Sequence, residues 1–353
     1  MTTKKVTGSQ AVILSLLEEG VDTIFGYPGG AIMPVYDALY DHSDNVKHIL
    51  TRHEQGAIHA AEGYADVTGK PGVCFATSGP GATNLITGIA DAMLDSVPLV
   101  CIIGQVASPL LGTDAFQESD VVGISMPVTK WNYQITTPEE IPDTIAKAFY
   151  IANSGRPGPV LIDLTKDAQF GELDFEYKKC TKIRSYVPEQ PIDKTKIEEA
   201  AKIINNAERP LLLFGHGVII GRAEKELKAF VEKTGIPAAW TLLGLSALPT
   251  DHPLNVGMLG MHGNYGPNLL TNQADVIISV GMRFDDRVTG KVSAYATGAK
   301  IIHLEIDPAE FHKIIKVDVP ILGNSKKSLK LLTEQVKENR HDEWLQRFRV
   351  QKF

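Results

Sequence analysis

Little in this chain points to a membrane, a secreted scaffold or a nucleic-acid surface. Cysteine is scarce, and Cys74, Cys101 and Cys180 form no pair motif. Cys74 and Cys101 sit inside apolar runs, so reduced core thiols in a cytoplasmic protein are the expectation. Long apolar runs are missing: the longest, Pro98 to Ile103, is far shorter than the roughly 20 residues of a bilayer span. Met1 to Gln10 is polar, without the apolar segment of a secretory signal. No block of one charge sign occurs. The basic residues are scattered within a net charge of −7, which argues against nucleic acid as a partner.

What is present is the composition of a soluble globular protein, 43% hydrophobic and 22% charged over 353 residues, enough for two domains. Apolar runs at Thr23–Gly26, His48–Thr51, Val73–Thr77, Leu99–Gly104 and Val160–Leu164 alternate with helical patterns at Ser9–Glu19, Gln55–Thr68, Ala82–Leu94 and Ile141–Ala152. Continuous apolar strands imply burial on both faces, hence an α/β fold with a doubly wound parallel sheet. From Lys178 to Lys196 the pattern lapses into a charged stretch with Pro188 and Pro191, a linker. A second α/β unit follows, with strands at Leu211–Phe214, Ala274–Val280, Lys300–Ile306 and Val319–Leu322 and a helix at Ala223–Thr234. The sequence predicts one amphipathic helix over Lys326–Lys352. The domains are expected at 1–180 and 195–340, joined by a linker at 181–194.

Three segments of the first half carry chemistry. Arg52-His53-Glu54-Gln55-Gly56-Ala57 places Glu54 where a buried strand gives way to a helix, a position a helix dipole favours for any glutamate. His53-Glu54 with His59 imitates a zinc motif, but that motif needs its second histidine four residues after the first, and the rings here fall on different helix faces. Gly26-Tyr27-Pro28-Gly29-Gly30-Ala31 and Thr77-Ser78-Gly79-Pro80-Gly81-Ala82-Thr83-Asn84 are glycine-rich strand-to-helix turns. The second lacks the lysine of a nucleotide-triphosphate loop. Both lie at carboxyl ends of parallel strands, where such sheets bind ligands. Thr77 and Asn84 are equally explained as backbone caps.

Together with Gly112-Thr113-Asp114-Ala115-Phe116-Gln117-Glu118, Gly155-Arg156-Pro157-Gly158-Pro159-Val160 and Lys166, these segments resemble, in order and spacing, the pyrimidine-binding domain of acetolactate synthase large subunits. The resemblance implies that Glu54 contacts N1′ of the aminopyrimidine of thiamin diphosphate. Carboxyl groups in apolar clefts hold protons well enough to share one with such a nitrogen, which activates the cofactor's thiazolium. It further implies that Tyr27, Gly29, Gly30, Thr77, Pro80, Asn84 and Gln117 bind this cofactor. Ala31, Phe116, Gln117 and Lys166 would line the substrate channel at a subunit interface.

In the second half, Gly215-His216-Gly217 is only a weak dinucleotide signal. Leu259-Gly260-Met261-His262-Gly263, the run from Gly281 to Gly290, and His303 to Glu310 resemble the FAD-binding middle domain of the flavin-containing members. That resemblance assigns Arg156, Gly215, Gly217, His262, Gly263, Arg283, Asp285, Arg287, Glu305 and Asp307 to FAD. Arg283 with Asp285 is also readable as a surface ion pair.

Two departures stand out. Ala107 follows Gln105-Val106 where many relatives have proline, which changes rigidity at the funnel rim and the fit of inhibitors, not the chemistry. No Gly-Asp-Gly with Asn-Asn roughly 25 to 30 residues later occurs, and Asn205-Asn206 has no such partner. That motif holds Mg²⁺ and the cofactor's diphosphate in the family, so a C-terminal domain is expected to be missing and the chain alone to be inactive. The implied reaction joins pyruvate to a second pyruvate or to 2-oxobutyrate, in a homodimer or tetramer with a possible small regulatory subunit. Another FAD-containing thiamin-dependent lyase or oxidase, or a non-catalytic, dimerising FAD-binding remnant, remain the alternatives.

Overall fold

A computed structural model describes residues 4–351. Its contacts divide the chain into two compact units, with the boundary between Pro188 and Glu189.

The first unit runs β1 (Lys4–Thr7), α1 (Gly8–Glu18), β2 (Thr23–Gly26), α2 (Met33–Tyr40), β3 (Lys47–Leu50), α3 (Glu54–Thr68), β4 (Gly72–Ala76), α4 (Pro80–Asp95) and β5 (Leu99–Gln105). It continues with α5 (Val121–Ser125), β6 (Trp131–Ile135), α6 (Ile141–Asn153), β7 (Pro159–Thr165), α7 (Lys166–Phe170) and β8 (Glu172–Phe175). Six strands form a parallel sheet ordered β3-β2-β4-β5-β7-β6. Every residue of β4, β5 and β7 is buried, because core clusters cover both faces. This is the physical reason those strands read as unbroken apolar runs.

Three strands of this unit escaped the pattern. Edge strand β6, Trp-Asn-Tyr-Gln-Ile, is mostly half-exposed and carries little apolar signal. The pair β1–β8 is antiparallel, short and polar.

The second unit comprises α8 (Lys194–Ile204), β9 (Pro210–Phe214), α9 (His216–Ile220), α10 (Glu224–Thr234), β10 (Ala238–Trp240), β11 (Asn255–Met258) and α11 (Tyr265–Thr271). Then come β12 (Val276–Val280), α12 (Asp286–Thr289), β13 (Lys300–Glu305), β14 (Val319–Leu322), α13 (Ser325–Gln335) and α14 (Asp342–Val350). Its sheet, ordered β11-β10-β9-β12-β13-β14, is parallel throughout. Numbered within the unit this is 3-2-1-4-5-6, the order of dinucleotide-binding sheets.

The single terminal helix expected over Lys326–Lys352 is instead two helices, and Lys352 lies outside the described residues. Tertiary hydrogen bonds break it. The Lys337 N–H donates to Asn205 Oδ1 at 2.8 Å and the Asn339 N–H to the Lys233 carbonyl at 3.1 Å. The chain can then fold back so that Trp344, Leu345 and Phe348 are buried. Trp344 Nε1 donates to the Pro210 carbonyl at 2.9 Å. No helix among the described residues is long and apolar enough to cross a membrane.

Candidate cofactor site

In the first sheet the strand order reverses between β2 and β4, and crevices at such a point are where α/β sheets take ligands. The two glycine-rich turns leave the carboxyl ends of these strands, and α3 starts beside them after β3. His53 caps α3, its Nδ1 accepting the Gln55 N–H at 3.1 Å, so Glu54 becomes the first helical residue. The residue is buried, 7% exposed.

Asn84, one turn into α4, donates from Nδ2 to Glu54 Oε2 at 2.9 Å. Thr77 Oγ1 accepts the Ala31 N–H at 3.2 Å, tying one turn to the other. Both residues have local partners. Thr77 satisfies backbone, whereas Asn84 orients the carboxylate.

Close approach explains the glycines. A Cβ at Gly29 would stand 2.6 Å from Thr77 Cβ, and one at Gly81 would stand 2.7 Å from Thr77 Cγ2 and 3.2 Å from Glu54 Oε1. A Cβ at Gly30 would meet nothing within 4 Å, so the tip of the first turn faces open space. Tyr27 and Pro80 are exposed at the ends of their turns. Contacts thus link Gly29, Thr77, Gly81, Glu54 and Asn84 across the two turns and the start of α3.

The Ala31 carbonyl accepts Gln169 Nε2 at 2.8 Å, so both polar groups of its backbone are fixed. Sequence reasoning missed Gln169: a fully buried glutamine on a short helix leaves no periodic signal. Lys166 opens α7 and is half-buried. Phe116 is 88% exposed, and Gln117 holds a left-handed backbone, φ 57°. Ala107 has φ −62°, the angle a proline ring would impose, so the rim keeps its backbone shape without proline.

His53 and His59 serve different partners. His59 Nδ1 lies 2.5 Å from Glu62 Oε2 and 3.8 Å from Asp91 Oδ2. These three could offer ligand atoms to a cation, but no other observation points to one there.

In the second unit the residues assigned to FAD lie at or after the ends of β9, β11, β12 and β13. Where the order reverses, between β9 and β12, a Cβ at Gly217 would stand 2.7 Å from Gly281 Cα, and one at Gly215 2.6 Å from the Gly281 carbonyl oxygen. These glycines let two loops pack on each other. Arg283 Nη2 stands 3.8 Å from Asp285 Oδ2, and Asp285 caps α12 by accepting the Val288 N–H at 3.2 Å. Arg287 Nη1 reaches Met261 Sδ at 3.7 Å, beside exposed His262 and half-buried Gly263.

Glu305 Oε1 accepts the Ile306 N–H at 2.8 Å, and Asp307 Oδ1 the Ala309 N–H at 3.0 Å. His303 is fully buried against Phe284 and Phe311, with Nε2 3.0 Å from the Met282 carbonyl oxygen. Burial pushes its imidazole down to about 4. In the first unit, Arg156 donates to Ser96 Oγ at 2.8 Å and to the Leu94 carbonyl at 3.3 Å, closing the C-terminal end of α4.

Comparison with known proteins matches this architecture. Residues 6–124 match the family described as thiamine pyrophosphate enzyme, N-terminal TPP binding domain, and residues 197–332 match thiamine pyrophosphate enzyme, central domain. The chain belongs to the thiamine pyrophosphate enzymes.

Within that family its relatives include the acetolactate synthase large subunit of Corynebacterium glutamicum, 53% identical over 334 residues, 95% of this chain and 53% of the relative. A probable acetolactate synthase large subunit of Methanocaldococcus jannaschii is 51% identical over 348 residues, 96% of this chain and 58% of the relative. The acetolactate synthase isozyme 2 large subunit of Escherichia coli is 49% identical over 341 residues, 97% and 61% respectively. The chain therefore spans a little over half the length of these thiamine pyrophosphate enzymes.

Proposed function

We propose that this chain supplies the pyrimidine-binding side of an acetolactate synthase, acting on pyruvate with a second pyruvate or 2-oxobutyrate. One observation carries the reading: a buried carboxyl, Glu54, oriented by Asn84 and bordered by Gly81 where the strand order reverses.

The donor set fits a thiamin pyrimidine. Glu54 offers one oxygen already engaged by Asn84 and a second, Oε1, bordered by Gly81, where any larger residue would crowd it. Thiamin diphosphate, when bound, supplies the nucleophilic carbon and the electron sink for decarboxylating a 2-oxo acid. Glu54 then holds or releases a proton at Oε1, Asn84 keeps that oxygen aimed, and burial excludes water from the exchange. Thr77 and Gln169 fix Ala31 so that its methyl borders the reacting centre, and Phe116, Gln117 and Lys166 line the approach of the substrate.

FAD is assigned to the second unit on the strand order and on Arg283 and Arg287, whose guanidinium groups suit pyrophosphate oxygens. No residue of this chain is assigned to Mg²⁺. A homo-oligomer in the cytoplasm completes the proposal, with a small regulatory subunit that the relatives' description as large subunits suggests.

The test is incubation of the complete gene product with pyruvate, thiamin diphosphate, Mg²⁺ and FAD. Formation of 2-acetolactate is expected, and of 2-aceto-2-hydroxybutyrate when 2-oxobutyrate is added. A folded protein that binds FAD and forms neither product would instead be the non-catalytic flavin binder.

A further inference from the structure

Asp163 is a fully buried carboxyl on β7 that the cofactor site does not use. Its strand neighbours are Gln134 on β6, directly opposite, and Ile103 on β5. Gln105, two residues beyond Ile103, shares its face. Gln134 Nε2 donates to Asp163 Oδ2 at 2.6 Å and Gln105 Nε2 to the same oxygen at 3.3 Å. Asp163 Oδ1 is buried without a hydrogen-bond partner.

The Gln105 amide is committed on every side. Its Oε1 accepts the Val106 N–H at 2.9 Å, and its Nε2 also donates to the Ser119 carbonyl at 3.1 Å. Because a carboxylate only accepts, Asp163 decides which end of this amide faces the sheet and which hydrogen reaches Ser119.

Ser119 ends the loop that carries Phe116 and Gln117. Two of its residues, Asp114 and Gln117, hold left-handed backbone, each at φ 57°, without being glycine. Such conformations persist only where the surroundings over-determine them. Gly112 N–H donates to Glu118 Oε1 at 2.5 Å, closing the loop on itself. The Gln117 carbonyl oxygen lies 2.6 Å from where a Cβ at Gly79 would stand, so the loop rests on the start of α4, the helix that presents Gly81 and Asn84 to Glu54. Beyond Ser119 the chain is pinned again. Asp120 Oδ1 accepts the Gly123 N–H at 2.9 Å, and Asn132 Nδ2 donates to the Val122 carbonyl at 2.8 Å.

We propose that Asp163 and Gln105 form a buried latch that positions the loop 112–119, and with it Phe116 and Gln117, beside the Glu54 crevice. The geometry stands by itself; only the consequence for turnover rests on the function proposed above. Asp163 is a positioning residue. It touches no reacting atom and acts through Gln105 and the Ser119 carbonyl. A carboxyl kept in the core with one oxygen unsatisfied is costly, and a latch is a reason to retain it.

Asparagine at 163 can place its oxygen where Oδ2 stands and keep both donors, whereas leucine of the same shape removes the acceptor. The experiment is hydrogen exchange of the full chain as wild type, Asp163→Asn, Asp163→Leu and Gln105→Met. Amide exchange across 112–120 is expected to rise roughly tenfold in Gln105→Met and Asp163→Leu, the scale of one lost hydrogen bond, and to stay within about twofold in Asp163→Asn. Exchange in β4 and β5 is expected to stay unchanged in all of them. Loop exchange at the wild-type level in Gln105→Met, or a rise matched everywhere in the unit, overturns the latch; Gln105→Met decides this even if Asp163→Leu does not fold.

In the complete gene product, kcat on pyruvate is expected to fall in Gln105→Met, with the KM for thiamin diphosphate unchanged and Asp163→Asn near wild type. A wild type without turnover would count against the function alone, and the exchange result would still decide the latch.

Discussion

Both units are six-stranded parallel sheets, and both gather glycines where the strand order reverses, yet they use them for opposite ends. In the first, Gly29 and Gly81 bring backbone against Thr77 and the buried Glu54, and Gly30 faces open space. In the second, Gly215, Gly217 and Gly281 press loop against loop. A glycine-rich turn at a strand end therefore announces close approach, and only the partner it approaches tells whether the space serves chemistry or packing.

The largest effect that would break this contrast is at the carboxyl. Glu54→Gln keeps the shape and the Asn84 contact while removing the acid. The expected loss in kcat of the complete gene product is about 10² to 10⁴, the range of positioned acid–base catalysis. A change below about threefold would reduce Glu54 to a helix-start glutamate.

A smaller effect sharpens the packing side. Gly281 has φ 56° and its Cβ would stand 2.6 Å from Gly217 Cα, so Gly281→Ala is expected to destabilise the second unit by about 2–4 kcal/mol in urea denaturation. Gly30→Ala, with nothing within 4 Å of its Cβ, is expected to cost less than about 1 kcal/mol. Equal costs at the two positions would erase the distinction.

One buried group in each unit responds to acid, with opposite sign. Burial raises the Asp163 carboxyl from 3.8 to about 6, with the charge of Asp120 adding to the rise and the amides of Gln134 and Gln105 opposing it. Folding then favours its protonated form, so this group contributes stability below pH 4 that is lost as pH rises through 6. Burial lowers His303 from 6.5 to about 4, so it contributes stability above pH 6.5 that is lost as pH falls toward 4. Each effect amounts to at most about 3 kcal/mol. Between pH 7 and pH 4, Asp163→Asn is expected to lose ground against the parent chain and His303→Phe to gain it. Trp131 reports on the first unit, and Trp240 and Trp344 on the second. Differences that stay flat across this range would remove both groups from the account.

Much of this was legible in the sequence, for identifiable reasons. Strands β4, β5 and β7 read correctly because burial on both faces leaves no room for polar residues. The turns carrying Gly29, Gly30 and Gly81 and the start of α3 at Glu54 were legible because turn glycines and the first residue of a helix are local features. What stayed hidden was long-range or polar. Gln169 and the Asp163–Gln105 pair act through single hydrogen bonds between residues far apart in the chain. The split between α13 and α14 arises from contacts to Asn205 and Lys233. The polar residues of β6 hid an edge strand.

The role proposed for Glu54 is to activate the cofactor. Its most direct test is the rate at which the thiazolium C2 proton of thiamin diphosphate exchanges with deuterium, followed by NMR on the complete gene product with and without Glu54→Gln. Exchange slowed by about 10² or more in the variant, in parallel with kcat, is the predicted result. Exchange at the wild-type rate would contradict it and place the activating group elsewhere.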